Sequence, residues 1–229
     1  MKRRGGFDSA LLRSELTRHG VSPGASPTFA RSIDRLMDYS AATTVQLAAY
    51  EQLTPKEGDP FTLQRDCLPD ILAAARTGSL ILTGEPGSGK SGVLNSLSRA
   101  LAADGAPVVA LGVDRLPVAT LNELSDQLGL EHPMLDVLAN WPGSGPCYVV
   151  IDALDATRGG PAEAVFKALI AGTLDLAGHR WRVIVSIRSF DLRLGRQFRE
   201  LFKGEPPSAN LADPAFKMVR HVSVPEWTD

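Results

Sequence analysis

The pattern of apolar and polar positions changes near residue 60. Before that point, apolar residues recur three or four positions apart, which predicts amphipathic helices. Two such stripes are present: Phe7, Leu11, Leu12 and Leu16, and then Phe29, Ile33, Leu36 and Met37. Segments rich in Pro and Gly follow each stripe, at 20–27 and 54–60. We therefore predict a helical N-terminal appendage over residues 1–58 and a separate domain over residues 59–229.

After residue 60, short runs rich in Val, Ile and Leu alternate with helical stretches. The runs cover residues 79–83, 107–112, 147–151, 181–187 and 218–224. Apolar strands that alternate with helices are typical of a parallel sheet covered on both faces. The sequence therefore predicts an α/β three-layer fold around a five-stranded, mostly parallel sheet.

A glycine-rich motif follows the first of these strands. Residues 84–91, GEPGSGKS, match the pattern GxxxxGK[ST], and a helix is predicted to begin near Gly89. Glycines allow successive backbone N–H groups to turn toward an anion, and the helix N-terminus favours negative charge. In such a loop Lys90 supplies a charge for phosphate oxygens and the Ser91 hydroxyl is a ligand for Mg²⁺. The alternative is a flexible turn that binds no ligand.

This motif predicts a set of residues around a bound nucleotide. The predicted nucleotide-contacting residues are Gly84, Glu85, Pro86, Gly87, Ser88, Gly89, Lys90, Ser91 and Gly92.

The third apolar run ends in acidic residues. Asp152 follows directly on that strand, and Asp155 lies three positions later. Ligands of parallel α/β sheets bind at the carboxyl ends of strands, so Asp152 is predicted to hold Mg²⁺ together with Ser91. Asp155 is predicted to orient or deprotonate an attacking water. The alternative for Asp155 is a cap on the following turn or helix.

The fourth run ends at the same predicted sheet edge with Ser186 and Arg188. A fixed guanidinium there can sense a γ-phosphate through charge-assisted hydrogen bonds, so Arg188 joins Lys90, Asp152 and Asp155 as a candidate catalytic residue. Further basic residues follow at helical spacing: Arg193, Arg196, Arg199 and Lys203. That spacing is typical of the solvated face of an amphipathic helix, and we do not predict nucleic-acid binding from it.

Composition narrows the remaining choices. The 229 residues carry a formal net charge of −2 and are 44% hydrophobic, as in an ordinary globular protein. Cys67 and Cys147 do not indicate a disulfide framework, and no signal peptide or membrane span is predicted, so we expect a cytoplasmic protein. The four histidines lack the spacing of metal ligands.

Taken together, the loop at 84–91, the run from Asp152 to Asp155 and the Ser186–Arg188 strand end resemble the STAND class of P-loop NTPases, especially its NACHT-like bacterial members and related AAA-type proteins. The resemblance covers roughly residues 62–224. It implies a sheet of order 5-1-4-3-2, ATP and Mg²⁺ as ligands, and self-assembly on activation. It also implies that the chain corresponds to the NTPase core without the C-terminal lid and sensor regions of that class. Ala156 stands where many members have a further acid, which implies slow hydrolysis.

Several functions remain open from the sequence. The preferred hypothesis is a Mg²⁺-dependent ATPase that hydrolyses ATP slowly and acts as a signalling or defence switch. The alternatives are a motor or processing ATPase acting on DNA or protein, and a nucleotide-binding scaffold without turnover. ATP is favoured over GTP because the chain lacks an Asn-Lys-x-Asp base-reading motif. The partner of residues 1–58 is not predicted.

Overall fold

A computed structural model describes residues 15–16, 18–19, 27–53, 61–62, 65–176 and 180–226. Most of the predicted stripe at residues 7–16 and the whole predicted linker at 54–60 lie outside these ranges. Within the described ranges, no helix is both long and apolar enough to cross a membrane.

The described helices and strands alternate along the main part of the chain. The α-helices are α1 (Pro27–Leu47), α2 (Leu68–Ala75), α3 (Lys90–Ala103), α4 (Leu121–Gln127), α5 (Met134–Ala139), α6 (Pro161–Leu174), α7 (Ser189–Leu194) and α8 (Arg196–Leu201). The strands are β1 (Gln52–Leu53), β2 (Phe61–Thr62), β3 (Leu80–Gly84), β4 (Val108–Gly112), β5 (Cys147–Asp152), β6 (Trp181–Arg188) and β7 (His221–Ser223). β1 and β2 form a separate antiparallel pair.

The other five strands form one sheet in which every neighbouring pair is parallel. Its spatial order is β4-β5-β6-β3-β7. Counted in chain order within this sheet, the arrangement is 5-1-4-3-2, which confirms the predicted α/β three-layer fold. The register pairs Gly84 with Arg188 and Gly112 with Asp152, so four strands end at one edge of the sheet.

The sheet separates two apolar cores because alternate residues of each strand point to opposite faces. On β5, Val149 and Ile151 contribute to the core under α5 and α6, whereas Tyr148 and Val150 contribute to the core under α2 and α3. β3, β4 and β5 thus read as largely apolar runs, as expected for strands buried on both faces.

Helix α1 packs along β4, which is an edge strand of the sheet. Ser40 lies on this helix, and its hydroxyl accepts a hydrogen bond of 3.1 Å from the backbone N–H of Ala110 on β4. The same hydroxyl donates to the carbonyl of Leu36 at 2.7 Å. Ile33 and Leu36 are buried in the core, in line with the predicted apolar stripe, whereas Met37 is 40% exposed. The boundary between an appendage and a main domain stays a prediction.

Two predicted elements differ in extent from those observed. The single amphipathic helix expected around Arg193 and Lys203 is divided into α7 and α8 at Gly195, where an added Cβ would lie 3.0 Å from the carbonyl oxygen of Asp191. The last strand begins at His221 rather than at Met218, whose side chain is 69% exposed.

Candidate functional site

The glycine loop, residues 84–91, connects β3 to α3 at the carboxyl edge of the sheet. Gly87 and Gly89 have φ angles of 81° and 84°, in the left-handed region that favours glycine, and Gly89 is the residue that precedes α3. Space is also restricted at Gly84, where an added Cβ would lie 2.8 Å from the Ser88 hydroxyl oxygen. The glycines of the motif are therefore required by the conformation of the loop.

Arg65 holds the outside of this loop. Its guanidinium donates to the carbonyl of Ser88 at 2.9 Å and also to the carbonyl of Pro225, beyond β7. The backbone N–H of Val224 donates to the Thr83 carbonyl at 2.7 Å. The loop is thus tied on one side to the chain segment that follows the last strand.

The ammonium group of Lys90 folds back over the glycine loop. It donates to the carbonyl oxygens of Gly84 at 3.0 Å and of Glu85 at 2.8 Å. Burial lowers the pKa of Lys90 from its ordinary value, and the nearby carboxylate of Asp155 opposes this effect. Among the described residues, no carboxylate forms a salt bridge with Lys90, so its charge is available to an anion in the loop.

Ser91, Asp152 and Ser186 form a hydrogen-bonded cluster beside the loop. The hydroxyls of Ser91 and Ser186 both donate to Oδ1 of Asp152, at 3.1 Å and 2.6 Å. The Ser186 hydroxyl also accepts from the backbone N–H of Ala153 at 2.8 Å. Ala153 has a φ angle of 58°, the one positive value at a non-glycine residue in the described part of the chain. Ser186 therefore fixes both the carboxylate and the turn that follows it.

Burial raises the pKa of Asp152 above its ordinary value, because removal from water penalises the ionised carboxylate. Hydrogen bonds from Ser186 and Ser91 act in the opposite direction. A buried carboxylate with an unfavourable environment is typical of a functional position, and a bound cation would favour its ionised form.

Asp155 and Arg188 form an ion pair across two strand ends. The distance between Arg188 Nε and Asp155 Oδ2 is 2.8 Å, and the two side chains are 53% and 11% exposed. Asp155 lies in the short 3-10 turn Leu154–Thr157 after β5, and Arg188 is the last residue of β6. The structure thus brings together Asp155, the predicted acid, and Arg188, the predicted phosphate sensor, and the two side chains bind each other.

A second ion pair lies next to the first and was not predicted. Arg158 Nη1 is 2.5 Å from Asp191 Oδ1, and the Arg158 guanidinium lies 5.7 Å from the ring centroid of Phe190. Arg158 follows Asp155 by three positions, and Asp191 follows Arg188 by three. An acidic and a basic residue thus lie three positions apart after β5, and a basic and an acidic residue lie three positions apart at the end of β6. This opposite order of charges is visible in the sequence and could have indicated two ion pairs.

These groups line a cleft of about 360 Å³ at the carboxyl edge of the sheet. Its walls include Ser91, Asp152, Asp155 and Arg188 from the predicted set. The walls also include residues that the sequence did not indicate: Thr43, Leu47 and Tyr50 from α1 and the turn after it, Asp114 and Arg115 after β4, and Arg158 and Asp191. Asp114 is close enough to contribute to the raised pKa of Asp152.

The remaining predicted contacts are placed in different ways. Glu85, Pro86 and Gly87 lie on the exposed side of the loop. Gly92 is buried against another segment, since an added Cβ would lie 2.8 Å from the carbonyl oxygen of Tyr50. Ser88 is buried within the loop, and its hydroxyl oxygen has no hydrogen-bond partner among the described residues.

The residues present fit a phosphate group with Mg²⁺. An unpaired hydroxyl at Ser88 and a cation at Lys90 suit phosphate oxygens. In the described ranges, no cluster of three or more His, Cys, Asp or Glu side chains could hold a metal ion alone. Mg²⁺ commonly takes only one or two protein ligands and completes its shell with phosphate and water. The Ser91 hydroxyl and the Asp152 carboxylate suit these protein ligand positions.

No protein-family model matches the chain, and no curated protein matches it. The chain is similar to a solved structure titled "Structure of Drosophila ORC bound to DNA", with 14% identity and a TM-score of 0.41. The match covers 84% of this chain and 57% of that one, so this chain spans little more than half of its length.

Proposed function

We propose that the chain binds ATP with Mg²⁺ at the glycine loop and hydrolyses it slowly, with the bound nucleotide acting as a switch. One observation carries this proposal: Lys90, the Ser91–Asp152 hydrogen bond and the Asp155–Arg188 ion pair all lie at the same carboxyl edge, around one loop and cleft.

Each of these residues has a defined task in the proposal. Lys90 exchanges its two backbone carbonyl partners for phosphate oxygens, which accept stronger, charge-assisted hydrogen bonds. Ser91 and Asp152 hold the metal ion, and Ser186 keeps Asp152 in position. When bound, Mg²⁺ neutralises charge that develops on the phosphate oxygens.

The Asp155–Arg188 pair supports slow turnover. While Oδ2 of Asp155 accepts the hydrogen bond from Arg188, that oxygen is not available to a water molecule. Arg188 can also donate to a phosphate, and that contact would compete with its contact to Asp155. In this proposal, binding of the terminal phosphate to Arg188 therefore frees the Asp155 carboxylate from its ion pair.

The same ion pair favours a second candidate, a nucleotide-binding scaffold without turnover. If Arg188 stays on Asp155 when the nucleotide is bound, no carboxylate is free at that position to activate water. Measured ATP turnover separates the two candidates, since only the switch ATPase releases phosphate at a rate that depends on Asp155.

A signalling or defence role, and self-assembly on activation, are the finer parts of the proposal. Their support is the resemblance of the three motifs to STAND-class, NACHT-like NTPases, together with the confirmed strand order 5-1-4-3-2. A motor or processing ATPase uses similar motifs, and stimulation of turnover by DNA or by a protein substrate would favour that alternative.

Replacement of Lys90 tests the site directly. We expect Lys90→Ala to abolish binding of Mg²⁺-ATP in calorimetry, because the charge over the loop is lost. Lys167→Ala, at an exposed position on α6, should bind like the parent chain. Unchanged affinity in Lys90→Ala, with a matched melting temperature, would contradict the assignment of the glycine loop.

A further inference from the structure

A basic groove lies apart from the nucleotide site, between α8 and the segment 214–219. It is open and has a volume of about 820 Å³. Its lining includes Arg196, Arg199, Lys203, Phe216, Lys217 and Met218. Lys203 pairs with Val219 through an isolated antiparallel bridge, which places the groove next to β7.

The charge of the groove is opposite to that of the whole chain. Four cationic side chains line it, with Glu200 as the one acidic lining residue among the described residues. Glu200 pairs with Arg196 at 2.9 Å, whereas Arg199, Lys203 and Lys217 form no salt bridge within the described ranges. A chain with a formal net charge of −2 therefore presents a local concentration of uncompensated positive charge.

The walls of the groove are held in place by backbone hydrogen bonds. The N–H of Arg220 donates to the carbonyl of Phe202 at 2.7 Å, and the N–H of Gly204 donates to that of Met218 at 3.2 Å. Buried His221 adds a further support, because its Nε2 accepts from the backbone N–H of Asp213 at 2.8 Å. The groove is thus formed before any partner binds, which lowers the entropy cost of binding.

The groove also offers an apolar contact. Met218 is 69% exposed, and methionine side chains adapt well to the shape of a partner. Phe216, in contrast, is only 2% exposed, and its ring packs edge-on against His221. Among its described lining residues, the groove therefore has no exposed aromatic ring on which a nucleic-acid base could stack, although such stacking is the usual complement to a cationic groove in single-strand binding.

We propose that this groove is a docking site for an acidic peptide segment of a partner protein, with a bulky apolar side chain that contacts Met218. Asp and Glu side chains of the segment pair with Lys203, Lys217 and Arg199. The apolar side chain becomes buried against Met218, whereas the charged phosphate backbone of a nucleic acid would gain nothing from that contact. The role is independent of the nucleotide site.

Fluorescence anisotropy with the full chain tests this proposal. The probe is a fluorescein-labelled peptide in which Asp and Glu residues flank a Leu-Phe pair. We expect saturable binding that is weakened by salt and reduced at least about tenfold by combined Lys203→Glu and Lys217→Glu. Met218→Ser, or a peptide with Ser-Ser in place of Leu-Phe, should also reduce the affinity.

A matched charge reversal serves as the control. Arg31→Glu changes an exposed side chain on α1, at the opposite edge of the sheet, and should leave peptide binding unchanged. Absent binding, an equal loss in Arg31→Glu, or indifference to the Leu-Phe pair would overturn the proposal. Stronger binding of a DNA duplex than of the peptide, or self-association that the double variant abolishes, would assign the groove to nucleic acid or to a second copy instead.

Discussion

At the scale of single residues, the ion pair between Asp155 and Arg188 is the feature closest to the proposed chemistry. An Arg–carboxylate pair with one partner half exposed contributes about 0–1 kcal/mol. A contact between the guanidinium and a phosphate is of comparable or greater strength, so the pair can open without a large cost. We infer that Arg188 is the side chain through which the terminal phosphate could be sensed.

Replacement of Asp155 separates binding from hydrolysis. Asp155→Asn keeps an oxygen that can accept from Arg188 but removes the base, so affinity for Mg²⁺-ATP should stay and turnover should fall by about 10²-fold or more. Asp126→Asn, at an exposed position on α4, is the control. Equal phosphate release by Asp155→Asn and the parent would leave Asp155 with a structural role only.

The raised pKa of Asp152 predicts a pH-dependent stability. Between the ordinary carboxyl value of 3.8 and its raised folded value, the folded chain binds a proton that the unfolded chain has lost. The free energy of unfolding should therefore fall as pH rises through this window, by about 1.4 kcal/mol for each tenfold difference in proton affinity.

Urea unfolding of the parent and of Asp152→Asn, from about pH 4 to about pH 8, measures this contribution. The amide does not titrate, so the difference between the two curves should change through the window and then level off. Parallel curves would show that the carboxyl titrates alike in the folded and unfolded chain.

At the scale of elements, the turn after α1 is fitted closely to α3. Glu51, which is 3% exposed, accepts a hydrogen bond from the Ser96 hydroxyl and pairs with Arg99 at 2.9 Å. The carbonyl of Tyr50 approaches Gly92, one residue after Ser91. The turn after α1 and the first turn of α3, which carries Lys90 and Ser91, are thus in direct contact.

A methyl group at Gly92 tests this contact. In an open helix, Gly→Ala stabilises by about 1 kcal/mol, but here the new Cβ would lie 2.8 Å from a backbone oxygen. We expect Gly92→Ala to lower the free energy of unfolding by about 1–3 kcal/mol in urea titrations. Gly145→Ala, where an added Cβ meets no atom within 4 Å, should change it little. A stabilised Gly92→Ala chain would mean that the turn moves away freely.

At the scale of the whole molecule, local patterns predicted the sheet, while distant pairings had to come from the structure. Strands β3 to β5 are largely apolar runs, β6 is rich in Val and Ile, and GEPGSGKS is a contiguous motif, so these features are visible in the sequence. The bond from Ala110 to Ser40 joins residues 70 positions apart, and no local pattern indicates it. The break at Gly195 depends on the close approach of Asp191, which helical periodicity does not report.

The site shows the same division. The placement of Lys90, Asp152 and Asp155 at the carboxyl edge of the sheet could be predicted from motif spacing and from the rule that ligands bind at carboxyl strand ends. The mutual engagement of Asp155 with Arg188 did not follow, because spacing places two side chains at one edge without saying whether they touch. The contribution of α1 to the cleft depends on how a helix far upstream packs against β4.

The hydrogen bond between Ser40 and Ala110 also bears on how copies of the chain can associate. An edge strand with free N–H groups can recruit a foreign strand and start aggregation. Here α1 covers β4 and occupies one such donor, so a β-strand from a neighbour would first have to displace a 21-residue helix. Copies of the chain that associate through this side of the molecule must therefore use helix surfaces. Repeated addition of strands to β4 is prevented because α1 covers that edge.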